Sequence, residues 1–209
     1  NLQARIRGSG ILATIAQMYK GVFINCGNKV ELALNYFTLY GDGGGALSVI
    51  SDLTKTEVYE MGRYINEQAE TELIPEETFE LTPSAELEED QKDPIIVGYH
   101  CNLVEAMMNY QKVTPETILQ WYLDGELEEK LKTEWEFESP EKFLEDFLWF
   151  CKLFYTPFKR FQSPPGIILS KTAFGSDYQE TIQTPFEWSE DARRIIRKIL
   201  AKERQLIPV

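Results

Sequence analysis

The chain has 209 residues, of which 43% are hydrophobic and 26% charged, which is typical of a globular domain and excludes a disordered, collagen-like or disulfide-stabilised protein. The net charge of −13 argues against a surface that coats nucleic acid, because such a surface needs clustered Lys and Arg. No apolar run reaches the roughly 20 residues of a membrane-spanning helix, and three widely spaced cysteines predict reduced thiols. We therefore expect a cytoplasmic protein without a membrane partner.

The acidic charge is concentrated in the middle of the chain. Residues 60–151 contain 24 acidic and six basic side chains, a net charge of −18 for that segment. This distribution is typical of a solvated acidic face. A small anionic ligand would therefore be bound by the segments on either side.

The first 45 residues predict a helix, a strand, a second helix and a glycine-rich loop. Apolar residues at helical spacing predict a closely packed helix over residues 2–18, and the β-forming residues 22–24 predict a buried strand. A short helix is expected over residues 29–36. Four glycines in positions 41–45 predict a loop whose backbone can approach a ligand closely.

The remainder alternates helices with one further strand and one long loop. We expect helices at residues 54–67, 99–111, 115–124, 140–155 and 189–203, a strand at residues 167–169, and an acidic surface loop at residues 68–98. Residues 99–155 would form a helical insertion. The pattern predicts an α/β fold, but about three strands are fewer than a doubly wound sheet usually has, so the fold looks incomplete at its N-terminal side.

Lys55 is a candidate phosphate ligand. Thr54 and Glu57 have the spacing of a capping box, which places Lys55 in the first turn of the following helix. A cation is unfavourable at this positive end of the helix unless an anion binds there too. The alternative is a surface lysine that tolerates the small penalty.

Glu31 is a candidate magnesium ligand. It follows the predicted strand of residues 22–24 and opens a helix, the position at which open α/β sheets bind ligands. Mg²⁺ prefers carboxylate and phosphate oxygens. Equally, Glu31 could cap its own helix by accepting a hydrogen bond from Asn28.

Three further features have weaker signals. The glycine-rich loop surrounds one carboxylate, Asp42, and a plain surface loop is the alternative. The rigid basic turn of residues 159–166 could hold an anion. The single histidine, His100, is expected to be a surface or structural imidazole and excludes a metal site with two histidines.

Together these segments resemble the NAD synthetase family, and their sequences are closest to the synthetase domain of the glutamine-dependent enzymes. The matching segments occur in the family's order and span about residues 1–175. They are Asn1-Leu2-Gln3-Ala4-Arg5-Ile6-Arg7-Gly8, Gly27-Asn28-Lys29-Val30-Glu31, Thr38-Leu39-Tyr40-Gly41-Asp42, Asp52-Leu53-Thr54-Lys55-Thr56, Ser84-Ala85-Glu86-Leu87 with Asp90-Gln91-Lys92-Asp93, Lys159-Arg160 through Pro164-Pro165-Gly166, and Ala173-Phe174-Gly175.

The resemblance implies a Rossmann-like, doubly wound parallel sheet of the adenine-nucleotide α-hydrolase type, with extra C-terminal helices. It implies ATP-dependent amidation of deamido-NAD to NAD through an adenylated nicotinate, with ATP and Mg²⁺ required. Ammonia would be free or would come from a glutaminase domain. A homo-oligomer, a dimer or larger, is also implied.

The resemblance also implies roles for individual residues. Asp42 and Lys55 would be catalytic and Glu31 would bind magnesium. The ATP ligands would be Cys26, Lys55, Ser84 and Arg5, and the deamido-NAD ligands would be Asn1, Tyr36, Asp42, Lys159 and Arg160.

Two departures from the family pattern affect these expectations. Cys26 stands where the family usually has Thr, which removes a hydroxyl contact to the nucleotide. The family's Ser-Gly-Gly-x-Asp-Ser pyrophosphate loop does not occur in the sequence, so we expect the C-terminal portion of a synthetase, inactive alone. A non-catalytic nucleotide-binding or dimerisation module is the alternative, and a different adenylating enzyme, such as a GMP synthetase or a tRNA-modifying ligase, is a third hypothesis.

Overall fold

The computed structural model describes residues 1–81, 93–109, 112–156, 158–174 and 185–204. Most of the regular structure in these ranges is helical. The helices are α1 (Leu2–Arg5), α2 (Ala13–Met18), α3 (Lys29–Ala33), α4 (Lys55–Ala69), α5 (Glu77–Glu80), α6 (Tyr99–Met108), α7 (Pro115–Asp124), α8 (Leu127–Leu131), α9 (Pro140–Phe154) and α10 (Glu190–Arg204). Every helix expected from the sequence is present, whereas α8 and the four-residue α5 were not predicted.

The N-terminal helix is continuous from α1 to α2 through π-helical turns at Ile6–Leu12. The prediction of a helix at residues 2–18 is confirmed, but its packing differs from the expectation. The apolar residues on which the prediction rested are exposed, with Ile6 52% and Ile15 46% accessible, and Gly8 is buried instead. The helix therefore contacts the protein through small residues.

Both α3 and α4 begin with a capping box, as the sequence predicts. Asn28 accepts hydrogen bonds from the N–H groups of Val30 and Glu31, and Glu31 Oε2 accepts one from the N–H of Asn28 at 3.0 Å. Thr54 and Glu57 repeat the arrangement at α4, where the Thr54 N–H donates to Glu57 Oε2 at 2.7 Å. These reciprocal bonds satisfy backbone donors that a helix start leaves free. They fix where α3 and α4 begin, and with that the positions of Glu31 and Lys55 along these helices.

The predicted strands occur as extended segments that pair at single residues. Ser48 bridges in parallel to Asn25 on one side and to Gly166 on the other, and no regular strand is present in the described ranges. The prediction of regular strands at residues 22–24 and 167–169 was therefore wrong for those residues. Parallel strands are normally buried on both faces, whereas Val22 is 69% and Leu169 61% exposed. The doubly wound sheet stays a prediction.

The hydrophobic core lies among α3, α6, α7, α8, α9 and α10. Stacked aromatic side chains run through it, with ring centroids 3.8 Å apart between Tyr122 and Phe143 and 5.7 Å apart between Phe143 and Phe147. Residues 99–155 thus supply most of this core. That they form an insertion stays a prediction, as does the acidic loop of residues 68–98, which contains α5 and whose residues 82–92 lie outside the described ranges.

His100 has the structural role expected of it. Its side chain is fully buried on α6, where the Ile96 N–H donates to Nδ1 at 2.8 Å. Nδ1 is thus the acceptor, so Nε2 carries the proton and donates to Asp146 Oδ2 at 3.2 Å.

Among the described helices, none has both the length and the apolar character needed to cross a bilayer.

Tyr99 carries a buried hydroxyl without a hydrogen-bond partner in the described part of the protein. Burial raises its pKa well above the usual value, so the neutral phenol persists. An unsatisfied buried polar group costs about 1–3 kcal/mol, so Tyr99→Phe should raise the free energy of unfolding by about 1 kcal/mol. Urea denaturation measures this change.

The matched control for Tyr99→Phe is Tyr36→Phe. The hydroxyl of Tyr36 donates to Asp93 Oδ1 at 3.0 Å, so its removal should lower the free energy of unfolding or leave it unchanged. A loss of stability in Tyr99→Phe equal to that of the control would contradict the interpretation of Tyr99.

Candidate functional site

A cavity of about 710 Å³ opens between the N-terminal helix, the extended segment before α3 and the glycine-rich loop. Its volume is within the range of small-molecule binding sites. The structure brings five of the predicted site residues to its walls from separate parts of the chain: Asn1, Cys26, Tyr36, Asp42 and Lys159. The cavity is therefore the candidate ligand site.

Asp42 sits at the centre of the loop that forms one wall of the cavity. Its carboxylate accepts a hydrogen bond from the N–H of Thr38 at 3.0 Å, and Thr38 Oγ1 donates to Asn1 Oδ1 at 2.8 Å. The buried amide of Asn25 donates to the backbone carbonyls of Asp42 at 2.7 Å and Gly44 at 3.1 Å. The loop is thus held from both sides, while the Asp42 side chain itself is exposed.

The N-terminal helix holds the same loop through polar side chains on one face. Arg5 Nε donates to the carbonyl of Leu39 at 3.2 Å, and the Ser9 hydroxyl donates to the carbonyl of Tyr40. Residues four apart lie on one helix face, so both bonds point to the same stretch of loop. Arg5 does not line the cavity, and its predicted contact with ATP stays a prediction.

Two glycines meet where this helix crosses the loop. A Cβ added to Gly8 would lie 2.4 Å from the carbonyl oxygen of Gly41, and one added to Gly41 would lie 2.9 Å from the backbone of Ala4. The backbones therefore approach to a distance that only glycine permits. This contact sets the position of the helical wall of the cavity.

Tyr36 lies at the cavity with its hydroxyl bonded to Asp93. Burial, the hydrogen bond to Asp93 and the negative charges of Asp93 and Glu31 raise the pKa of Tyr36 to about 12. The ring is thus a neutral phenol fixed at its polar end. Asp93 was not assigned a role from the sequence, although it closes the Asp90–Asp93 motif of the resemblance.

Glu31 and Lys55 come from different elements but act on each other electrostatically. Burial raises the pKa of Glu31, and the negative charges of Asp93 and Asp42 add to this effect. The hydrogen bond from Asn28 and the positive charge of Lys55 oppose it. Neither Glu31 nor Lys55 lines the cavity, but the carbonyl of Glu31 accepts a hydrogen bond at 2.8 Å from the N–H of the cavity residue Tyr36.

Lys159 and Arg160 follow one another but face different surroundings. Lys159 lines the cavity, and its ammonium donates to the carbonyls of Asn35 at 3.0 Å and Phe37 at 2.7 Å. Arg160 is only 6% exposed, and its guanidinium donates to backbone carbonyls, including that of Phe154 at 2.6 Å. Contact of Arg160 with a substrate stays a prediction, and its observed bonds tie the chain to the end of α9.

Two other predicted nucleotide ligands have different outcomes. Cys26 is an exposed free thiol on the cavity wall. Ser84 lies outside the described residues.

In the part of the chain that the structure describes, no three His, Cys, Asp or Glu side chains cluster as a metal site, so a cation here would need further oxygen ligands.

Comparison with known proteins identifies the family. A family model described as NAD synthase matches residues 1–136. The chain belongs to the NAD synthase family. It is 35% identical over 187 residues to the glutamine-dependent NAD(+) synthetase of Synechocystis, covering 89% of this chain and 30% of that protein. It is also 39% identical over 131 residues to the NH(3)-dependent NAD(+) synthetase of Methanococcoides burtonii, covering 63% of this chain and 43% of that protein.

The fold comparison agrees with this membership of the NAD synthase family. The crystal structure of a glutamine-dependent NAD(+) synthetase from Cytophaga hutchinsonii superimposes with a TM-score of 0.62 at 15% sequence identity. The match covers 95% of this chain and 29% of that one. The predicted α/β fold class is thereby supported. The chain spans about 30% of the length of the glutamine-dependent enzymes of Synechocystis and Thermotoga maritima.

The contact between Gly8 and Gly41 predicts a loss of stability for one glycine substitution and none for its neighbour. Gly8→Ala should lower the free energy of unfolding by about 1–3 kcal/mol, because the added methyl group meets the carbonyl of Gly41. Gly10→Ala is the matched control, since a Cβ there meets nothing within 4 Å. Urea denaturation of both variants checks this, and equal losses would contradict the role of the crossing.

The surroundings of Tyr36 predict a change that NMR can detect. With ¹³C-labelled tyrosine, Tyr36 should titrate near 12. In Asp93→Asn its pKa should fall below that value because the hydrogen-bonding carboxylate is lost, while burial still holds it above the ordinary value. Asp124→Asn is a matched control, because that carboxylate bonds to Gln120 at the surface. An unchanged pKa in Asp93→Asn would show that Asp93 does not control Tyr36.

Proposed function

We propose that this chain contributes to the ATP-dependent amidation of deamido-NAD to NAD, through an adenylated nicotinate. The observation that carries the proposal is the cavity lined by Asn1, Tyr36, Asp42 and Lys159, to which Glu31 is joined by the backbone bond from Tyr36. Membership of the NAD synthase family supports a ligase of NAD biosynthesis. The nitrogen donor would be ammonia, free or from a glutaminase domain.

Lys55 is proposed to bind the phosphates of ATP. It is the first residue of α4, where the free N–H groups and the helix dipole both favour an anion. A phosphate would therefore meet the ammonium and the helix start at the same point. This arrangement gives a physical reason for a cation at a position where it is otherwise unfavourable.

Glu31 is proposed to hold Mg²⁺. Its Oε2 accepts one hydrogen bond from Asn28, and a carboxylate has about four acceptor sites, so capping and metal binding are compatible. One protein carboxylate with phosphate oxygens and water is a common magnesium coordination. The cation would supply charge neutralisation for the leaving pyrophosphate.

The cavity is proposed to bind the nicotinate end of deamido-NAD. Tyr36 would stack against the ring, and its bond to Asp93 would fix the orientation of its own ring. Asp42 would lie beside the reacting amide, and Lys159 would face the dinucleotide. Asn1 and the N-terminal helix would close the opposite wall and exclude water from the activated acyl group.

The test is the binding of ATP in the presence of Mg²⁺, measured by isothermal titration calorimetry. Binding is measured rather than turnover, because it reports the phosphate and magnesium roles directly. Lys55→Ala should weaken binding by roughly tenfold or more, the value of a lost charge-assisted hydrogen bond. Glu31→Gln should weaken binding only when Mg²⁺ is present.

The matched control is Lys130→Ala. This lysine also lies on a helix, where it pairs with Glu126 at 3.5 Å on the exposed surface. The Lys130→Ala substitution removes the same charge far from the site residues in sequence, so the affinity for ATP should not change. Equal affinities of the wild type and Lys55→Ala would refute the phosphate role.

A further inference from the structure

Lys29 carries a fully buried ammonium at the start of α3. Its side chain is 1% exposed, and Nζ lies 3.0 Å from Asp52 Oδ1 and 3.0 Å from Thr172 Oγ1. It also donates to Glu105 on α6 and lies 3.5 Å from Ser170 Oγ. Burying a charge is costly unless it is paired, and here the partners come from three other segments. Lys29 therefore joins α3, the approach to α4, α6 and the chain after residue 168.

Asp52 is held as an ionised carboxylate at the centre of this junction. Its Oδ2 accepts hydrogen bonds from the N–H groups of Leu169 at 2.7 Å and Ser170 at 2.6 Å. Burial acts to raise the pKa of Asp52, but these bonds and the ammonium of Lys29 outweigh it, and the pKa lies below the ordinary value. The ion pair is thus a permanent link rather than an exposed surface contact.

The chain connects this link directly to the two proposed ATP–magnesium residues. Glu31 is two residues after Lys29 on α3, and Lys55 is three residues after Asp52 at the start of α4. The backbone adds a second bond at the same place, because the N–H of Lys29 donates to the carbonyl of Leu53 at 2.8 Å. The relative position of Glu31 and Lys55 is therefore set through Lys29.

We propose that Lys29 is a positioning residue, whose ion pair with Asp52 holds Glu31 and Lys55 at the separation that a magnesium-bound triphosphate requires. The inference rests on the proposed function, since it concerns the same site. Lys29 touches no substrate, because its ammonium is enclosed by protein groups. It acts only through the segments that it joins.

The variant that tests this role is Lys29→Met, which keeps the length of the side chain and removes its charge. The readout is the ratio of ATP dissociation constants measured with EDTA and with Mg²⁺, which reports how much the cation strengthens binding. A variant that is merely less stable has a smaller folded fraction in both solutions, so the ratio does not change. Mispositioning of Glu31 relative to Lys55 should lower the ratio by roughly tenfold, toward one.

Lys142→Met is the matched control, because that lysine pairs with Glu145 on the exposed face of α9. It should keep the wild-type ratio. Where Lys29→Met does not fold, Asp52→Asn is judged by the same ratio, since it keeps the shape of the side chain and removes the charge. An unchanged ratio in the folded variant overturns the positioning role.

The two proposals fail in different ways. If Mg²⁺ does not strengthen ATP binding by the wild type, the proposed function is refuted and the positioning role falls with it. If Mg²⁺ strengthens binding equally in the wild type and in Lys29→Met, only the positioning role is refuted.

Discussion

The arrangement of this protein depends on one buried positive charge, the ammonium of Lys29. Removing one partner from a buried ion pair typically costs about 3–5 kcal/mol, a large part of the stability of a small domain. The partners of Lys29 connect the aromatic helical core, through Glu105 on α6, with the segments that carry the candidate site. Core and site are thus joined by electrostatics as well as by apolar packing.

The helices could be predicted from the sequence because their signals are local. Apolar periodicity marked the long helices, and the pairs Asn28–Glu31 and Thr54–Glu57 marked where α3 and α4 begin. The short helix α8 lacks such a signal, since five residues give too little periodicity. Regular strands were predicted from β-forming residues, but strand pairing depends on distant segments. Among the residues that the structure describes, only Asn25, Ser48 and Gly166 pair.

The candidate site was partly predictable, through chemistry that neighbouring residues reveal. The position of Lys55 at a helix start follows from Thr54 and Glu57 alone. The role of Asn25 in holding the glycine-rich loop could not be predicted in this way, because its hydrogen-bond partners are 17 and 19 residues away. For Arg160 the sequence predicts a positive charge, whereas the direction of its side chain depends on the carbonyls of Ala33 and Phe154, at the ends of α3 and α9.

The crossing of Gly8 and Gly41 has a consequence for how this site can vary. At most contacts, a larger residue on one side can be accommodated by a smaller one on the other. Here both partners already lack a side chain, so no second-site change at this contact can restore the lost space. Neither glycine of this crossing can therefore be replaced without moving the helix away from the loop.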